Sequence, residues 1–293
     1  MNWIKDVLRP KIKTLFSRIR DVPEQLWVPC PKCATLIYKK DMLANLNVCR
    51  KCNFHLPMST SDRFETIFDD CKYTAVKLSK VSDDPLEFQD LVKYSDKLAS
   101  TRKKTGLEDA IQVAVGDIGE VKTTLAVMTF EFFGGSMGRY VGEALLTAAK
   151  TAVKERTPLV VITASGGARM QEAMLSLMQM ARTTLAVNMV RDAGLPYVVI
   201  LTNPTMGGVS ASFAMLGDVH IAEAGATIGF AGRRVIEGSI RHKLPPEFQT
   251  AEYVQEQGAI DIVVHRSELK ETLENILQIL MANVEVEKEK AKK

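Results

Sequence analysis

The sequence contains no run of about 18 uninterrupted apolar residues, so no membrane-crossing helix is expected. Its opening, MNWIKDVLRPKIKTLFSRIR, is basic but lacks the apolar stretch of a secretory signal peptide. Neither common nucleotide-binding loop occurs. There is no GxxxxGK followed by Ser or Thr, and no GxGxxG after a strand-like run. The formal net charge of +3 is too slight to argue by itself for a nucleic-acid partner. Five cysteines without an export signal argue against a disulfide scaffold and for a reducing, cytoplasmic setting. With 293 residues and 46% hydrophobic content, the chain is long enough for one large globular domain or two smaller ones.

Four of the five cysteines are placed as metal ligands. Cys30-x2-Cys33-x15-Cys49-x2-Cys52 is a pair of CxxC knuckles separated by a ribbon-length gap. Each knuckle sets two thiolates on one side of a tight turn, and two knuckles close a tetrahedral sulfur site suited to Zn²⁺. Four protein ligands leave no open position, so the expected zinc is structural, one per chain. Lys32, Lys39, Lys40, Arg50 and Lys51 make the segment basic, and nucleic-acid binding is a secondary expectation for it. His55 is expected at the surface, with a substitute ligand role as the alternative, and Cys71 is expected to be a buried apolar residue.

The richest stretch is Thr157–Glu172, TPLVVITASGGARMQE. Leu159–Ile162 reads as a buried strand, and Ser165-Gly166-Gly167 breaks it. From Ala168 onward Met170, Met174, Leu177, Ala181 and Leu185 recur at helical spacing. Backbone N–H groups at such a start are unpaired, and adjacent glycines let another molecule approach them. The place suits a phosphate, or a carbonyl oxygen that becomes negative during a reaction. Gly194–Phe213 repeats the grammar, with a strand at Tyr197–Leu201 and a turn containing Pro204, Gly207 and Gly208.

Around these units the reading is α/β. Ser61–Phe68 is a short helix capped by Ser61 or Asp62; Thr101–Gly106, with three consecutive cations, is a loop. Ile111–Val115 and Thr124–Phe133 are strands joined by a turn at Gly116–Gly119, and Tyr140–Lys154 is a helix. Asp218–Glu223, Ala226–Phe230 and Asp261–Val264 are short strands. Glu252–Gln257 and Ser267–Ala282 are helices. Gly134-Gly135-Ser136-Met137-Gly138 fits the GxSxG elbow of serine hydrolases, yet few strands precede it and both later glycine turns would be left without a role. His220, inside a strand, reads as a satisfied core histidine. Arg233 and Arg234, after Gly232 at a turn, fit either an anionic ligand or partner or an ordinary surface.

The four-cysteine ribbon, FGGSMG at 133–138, SGGARMQE at 165–172, NPTMGGV at 203–209 and QGAID at 257–261 together resemble the carboxyltransferase branch of the crotonase-like superfamily. Within that branch the chain is similar to beta subunits of bacterial acetyl-CoA carboxylase carboxyltransferases. The resemblance implies a crotonase-like superhelix of β-β-α units with an N-terminal zinc ribbon. The corresponding organisation is a basic arm at 1–26, the ribbon at 27–56, a carboxyltransferase domain at 57–283 and a charged tail at 284–293.

The implied reaction moves a carboxyl group from carboxybiotin to acetyl-CoA, giving malonyl-CoA, the first committed step of fatty acid synthesis. The amides of Gly166, Gly167 and Ala168 are assigned to the enolate oxygen; Gly134, Gly135, Gly207, Gly208 and Arg233 are assigned to substrate binding or to shaping the pocket. The base is biotin itself after release of CO₂, so no catalytic histidine is required. Without a biotin-attachment motif or an ATP loop, biotin is expected on a separate carrier protein and ATP at a separate biotin carboxylase. The chain is expected to act only with an alpha subunit, as an α2β2 assembly. Two other readings fit part of the pattern: another crotonase-like acyl-CoA enzyme, and a zinc-ribbon nucleic-acid binder.

Overall fold

The computed structural model describes residues 26–291. The basic arm, apart from its last residue, lies outside them. The chain divides into two compact units, Met1–Phe54 and His55–Lys293. In the first, β1 (Trp27–Pro29) pairs antiparallel with β2 (Leu36–Tyr38) and leads into α1 (Lys39–Ala44). The rings of Trp27 and Tyr38 meet across this pair at 5.5 Å.

The second unit begins with α2 (Thr60–Ile67), β3 (Tyr73–Ala75) and α3 (Tyr94–Thr105). There follow β4 (Ile111–Ile118), β5 (Val121–Met128), α4 (Arg139–Glu155) and β6 (Leu159–Ser165). Next come α5 (Ala173–Asp192), β7 (Tyr197–Thr205), α6 (Gly207–Ser210) and β8 (Val219–Glu223). The chain closes with α7 (Arg233–Ile240), α8 (Ala251–Glu256), β9 (Ile262–Val264) and α9 (Leu269–Ala291). The seven strands β3 to β9 form one sheet in sequence order, antiparallel up to β5 and parallel from β5 onward. Each crossover therefore sets the next strand beside the last, and the fold advances in one direction. Single-residue bridges, Met137 to Ala168 and Thr205 to Ile228, repeat the stacking beyond the main sheet. No described helix is long and apolar enough to cross a membrane.

Both faces of the parallel strands are covered, which explains their unbroken β-branched runs. Leu159 and Val161 face a core with α4 and α5, while Val160 and Ile162 face Phe64 and Phe68 near α2 and Leu273 and Leu277 of α9. Helix α5 departs from its sequence pattern. Met170 just ahead of it, and Met174, Leu177 and Leu185 along it, are exposed, whereas Ser176, Gln179, Thr183, Ala186, Val187 and Val190 are buried. Periodicity located the helix; packing against the small-residue face of α4 chose its buried side. Gly142 of α4 permits that approach, because a Cβ there would meet Gln179 Oε1 at 2.0 Å.

Other boundaries shift for local reasons. Gly116 lies inside β4 and not in a turn: a Cβ there would meet the Phe68 ring and the Lys72 carbonyl at 2.7 Å, so glycine lets the strand pass beneath them. The turn is Gly119-Glu120, and the second strand ends at Met128. The cationic segment at 101–106 is the last turn of α3, where positive charge complements the helix dipole and Gly106 closes the helix in the left-handed region. Ser59, not Ser61 or Asp62, caps α2, its hydroxyl accepting from the Asp62 N–H. Residues 226–230 contribute bridges only, and α9 continues past Ala282 to Ala291. Cys71 is exposed, not buried; it follows Asp70 in a left-handed turn.

A buried charge cluster ties the ends of this unit together. Glu223, at the end of β8, accepts from Arg63 Nη1 at 2.5 Å, Arg266 Nε at 2.8 Å and Arg266 Nη2 at 2.5 Å. Arg266 also donates to the Leu56 carbonyl. Burial would raise the Glu223 pKa, but the charges of Arg63 and Arg266 hold it well below its usual 4.5. Glu223→Ala leaves two arginines buried without their partner and is expected to cost about 3–5 kcal/mol in urea or thermal denaturation. Because the folded pKa is depressed, this contribution is full at neutral pH and fades as pH falls below the usual 4.5. Unfolding profiles of wild type and variant should therefore converge in acid.

Candidate active site and metal centre

The four ribbon cysteines converge as their spacing predicts. Their sulfur atoms all lie within 4.8 Å of one another, with Cys30 and Cys52 at 3.5 Å and Cys33 and Cys49 at 3.7 Å. Ligand bonds of about 2.3 Å would set tetrahedral sulfurs about 3.8 Å apart, so the set fits zinc. Each knuckle is a tight turn: the Ala34 N–H donates to the Cys30 carbonyl, and the Asn53 N–H to the Cys49 carbonyl. Hydrogen bonds from Thr35 pull the Cys33 thiol down to about 6, while burial and the neighbouring sulfurs push Cys52 up to about 12. Four thiolates cannot share this space without a cation, and a divalent metal supplies the missing charge. His55 lies outside the sulfur group and is buried, not at the surface: Nδ1 is 3.5 Å from Glu223 Oε2, and its ring meets His265 edge-on.

The two glycine turns sit at the carboxyl ends of the adjacent parallel strands β6 and β7 and touch each other. A Cβ on Gly167 would lie 3.2 Å from both the Gly207 Cα and the Gly208 nitrogen. Gly167 has φ +120° and Gly207 has φ +58°, and only glycine takes up both the backbone and the approach without strain. The amides divide sharply. Gly166 N–H donates to the Gly134 carbonyl at 2.8 Å, and Gly167 N–H to the Ser165 hydroxyl at 3.0 Å. Gly207 N–H donates to the Phe230 carbonyl at 2.9 Å. The amides of Ala168 and Gly208 have no acceptor among the described residues. They are neighbours, since a Cβ on Gly208 would stand 3.4 Å from the Ala168 nitrogen. Of the three amides assigned from sequence, Gly166 and Gly167 are thus already used by the fold. The helix also begins later than expected, at Ala173 after a 3-10 turn at Met170–Glu172, so Ala168 is held by the Met137 bridge and not by a helix start.

The remaining sequence-assigned residues serve the scaffold. Gly134 supplies the carbonyl that Gly166 uses, and Gly135 lets the backbone press on Ala164, whose carbonyl a Cβ would meet at 1.8 Å. Arg233 is not free for a ligand: its guanidinium donates to the carbonyls of Leu244, Pro245, Pro246 and Phe248 at 2.7–3.2 Å. Ser136 is no nucleophile elbow, because its hydroxyl accepts from Arg169 Nε at 3.1 Å and no histidine is among its partners. His220 is satisfied as expected, its Nε2 accepting from the Gly217 N–H at 3.1 Å.

Periodicity could not reveal Arg169, the largest fully buried side chain. Its guanidinium pairs two-pronged with Asp109 at 2.5 and 2.8 Å and donates to the Tyr94 hydroxyl, the Ser136 carbonyl and, at 3.4 Å, Glu172. Its carbon lies over the rings of Phe132 and Phe133 at 5.7 and 5.4 Å. Burial would lower the Arg169 pKa, but the hydrogen bond and charge of Asp109 raise it, so the arginine stays charged. Glu172 completes the network by accepting from Tyr94 and from the Arg139 N–H that opens α4. The one sequence signal was an arginine directly after a small-residue turn.

Known proteins match this chain along nearly its whole length. The carboxyl transferase domain family matches residues 80–287, and the acetyl-CoA carboxylase zinc finger domain family matches residues 27–52. The acetyl-coenzyme A carboxylase carboxyl transferase subunit beta of Liberibacter asiaticus is 50% identical over 285 residues, covering 97% of this chain and 100% of the relative. That of Azorhizobium caulinodans is 52% identical over 281 residues, covering 96% and 94%. Among solved structures, the transcarboxylase 12S hexamer with hydrolysed methylmalonyl-coenzyme A superposes with a TM-score of 0.62 at 22% identity, over 75% of this chain and 41% of that one. A malonate decarboxylase hetero-dimer from Pseudomonas gives 0.58 at 20% identity, over 75% and 86%. At such identities these structures speak for the fold.

Cys49→Ser removes one of four ligands. It is expected to lower bound zinc from one equivalent to well below half and to unfold the ribbon. Metal analysis of the purified protein and near-ultraviolet circular dichroism of Trp27 check both.

Proposed function

The chain belongs to the family of acetyl-coenzyme A carboxylase carboxyl transferase beta subunits, and from this premise we propose that the paired free amides of Ala168 and Gly208 hold the thioester oxygen of acetyl-CoA during carboxyl transfer. The enzyme is a biotin-dependent carboxyltransferase. In the reaction the N–C bond of carboxybiotin breaks to give CO₂, and the biotin nitrogen so freed takes a proton from the acetyl methyl group, whose electron pair moves into an enolate. The enolate carbon then forms a C–C bond with that CO₂. Acetyl-CoA and carboxybiotin become malonyl-CoA and biotin. The difficult moment is the negative enolate oxygen. Fixed N–H donors stabilise it without reorganising, and one such donor is worth about 10²–10³ in rate.

One observation carries this reading: two neighbouring backbone N–H groups without acceptors, one on each turn, beside the Gly166, Gly167 and Gly207 amides that the fold already uses. Buried backbone donors are otherwise nearly always paired. Arg169 and Glu172 act behind the turn as positioning residues. Ala168 takes over the role that sequence gave to three residues, and Gly208 rises from shaping the pocket to supplying a donor.

The second half of the site is assigned to an alpha subunit. The exposed row of Met170, Met174, Leu177, Met178 and Leu185 begins two residues after Ala168 and supports a partner at that place. Biotin arrives on a separate carrier protein and is charged with ATP by a separate carboxylase, with the whole assembly in the cytoplasm. Zinc in the ribbon serves structure and not the reaction.

Decarboxylation of malonyl-CoA with biocytin as acceptor tests the reading. Turnover is expected only when this chain is mixed with an alpha subunit, and full activity of the chain alone would overturn the divided site. Gly208→Ala tests the donor. Its φ is not left-handed, and the added methyl would sit 3.2 Å from the Ala168 Cβ, beside the Ala168 N–H. The expected outcome is a kcat lower by about 10²–10³ with an unchanged melting temperature. A near-normal kcat would remove Gly208 and Ala168 from the role.

A further inference from the structure

The segment after β8 passes along the second glycine turn. Ser210 Oγ donates to the Gly229 carbonyl at 2.7 Å, and Gly207 N–H donates to the Phe230 carbonyl at 2.9 Å. Beyond Phe230 the chain leaves the body of the unit as α7, a helix with no buried residue. It is nevertheless braced. Arg233 gathers the carbonyls of the 244–248 loop, Glu237 accepts from the Leu244 N–H at 3.0 Å, and Gln249 Nε2 donates to the Ala231 carbonyl at 2.8 Å. Arg233 and Glu237 thereby use each other's neighbourhood, with Nη1 and Oε1 at 3.7 Å.

Three cations remain. Arg234, Arg241 and Lys243 are exposed and make no side-chain hydrogen bond or ion pair with any described residue. Arg234 lies in the first turn of α7 and Arg241 directly after its last residue, about 10 Å further along the axis at about 1.5 Å per residue. Gly238 lies between them in the chain, and a Cβ there would meet nothing within 4 Å, so the helix backbone is open. Arg241 occupies the left-handed position that ends the helix, with φ 54°, where glycine or asparagine is the unstrained choice. A rigidly braced group of unpaired like charges repels itself, and what it offers is a polyanion site. The side chain of Phe230, 68% exposed, stands at the start of the same segment, beside the Gly207 turn.

We propose that Arg234, Arg241 and Lys243 hold the phosphates of the acyl-CoA nucleotide, its diphosphate and 3′-phosphate. On the preceding reading the thioester end sits at Ala168 and Gly208, and this proposal rests on that reading. Phe230 then offers an aromatic surface between the reacting end and the charged end. Binding energy gathered on the nucleotide positions a reacting group that itself presents few handles. Arg233, assigned to a ligand from sequence, is the brace, and its exposed neighbour takes the ligand role.

The test uses the complex with the alpha subunit and compares malonyl-CoA with malonyl-pantetheine, which lacks the nucleotide. In Arg234→Glu/Arg241→Glu the ratio of kcat/KM for malonyl-CoA to that for malonyl-pantetheine is expected to fall at least about tenfold, through KM. Arg234→Lys/Arg241→Lys is expected to restore most of the ratio. Raising salt from 50 to 300 mM should lower the ratio in the wild type and leave it flat in the reversed variant. An unchanged ratio overturns the proposal. So does an equal loss with both substrates, which marks the segment as a partner-docking or folding element. Failure of the wild-type complex to use either thioester overturns the oxyanion reading itself, and is distinguishable because it precedes any variant.

Discussion

A guanidinium that cannot reach water sets the terms for this site. Arg169 follows the SGGA turn directly and is fully buried, so its charge must be met inside the protein. Asp109 meets it from the start of β4, Tyr94 from α3, Ser136 from the turn before α4, and Glu172 from the turn before α5. Those four elements are thereby fixed relative to one point. The backbone on either side of Ala168 is thereby fixed as well, through the Gly167 carbonyl and the Arg169 N–H on Met137. An oxyanion donor works only if it does not have to move, and the buried ion network supplies that stiffness.

Glycine then decides which amides stay free. The turns after β6 and β7 approach to contact because Gly167 and Gly207 carry no side chains at the crossing. Within that crossing, acceptors are at hand for Gly166, Gly167 and Gly207 but not for Ala168 and Gly208. Of these five donors the fold thus spends three on its own geometry and leaves two without an acceptor. Two of the histidines are taken up by the fold: His220 is satisfied by Gly217, and His55 is packed against Glu223 and His265.

The surface around the turns has unbalanced features of two kinds. The outward row on α5 is apolar where a solitary domain would be polar, and the α7 segment is cationic where a neutral fold would pair its charges. The first suits a protein partner and the second an anionic substrate. The first begins just after the turn that follows β6, and the segment leading into the second is hydrogen-bonded to the turn that follows β7, through the Gly207 N–H and the Phe230 carbonyl.

Much of this was legible in the sequence alone. The CxxC spacing determined the metal centre, because ligand geometry there is set by local turns of a few residues. Buried parallel strands announced themselves as β-branched runs, since both of their faces are covered. The glycine-rich turns were visible as breaks between those strands and the helices that follow. Tertiary structure alone decided the rest. Which side of α5 is buried depended on how closely α4 could approach, and that rests on Gly142 against Gln179. Whether Gly116 marked a turn or a strand depended on the Phe68 ring above it. Which of Gly166, Gly167, Ala168, Gly207 and Gly208 keeps a free N–H depended on acceptors supplied by Gly134, Ser165 and Phe230. The sequence alone determines where donors and glycines fall along the chain. A donor's availability is a property of its neighbours in space, and only the folded chain brings them together.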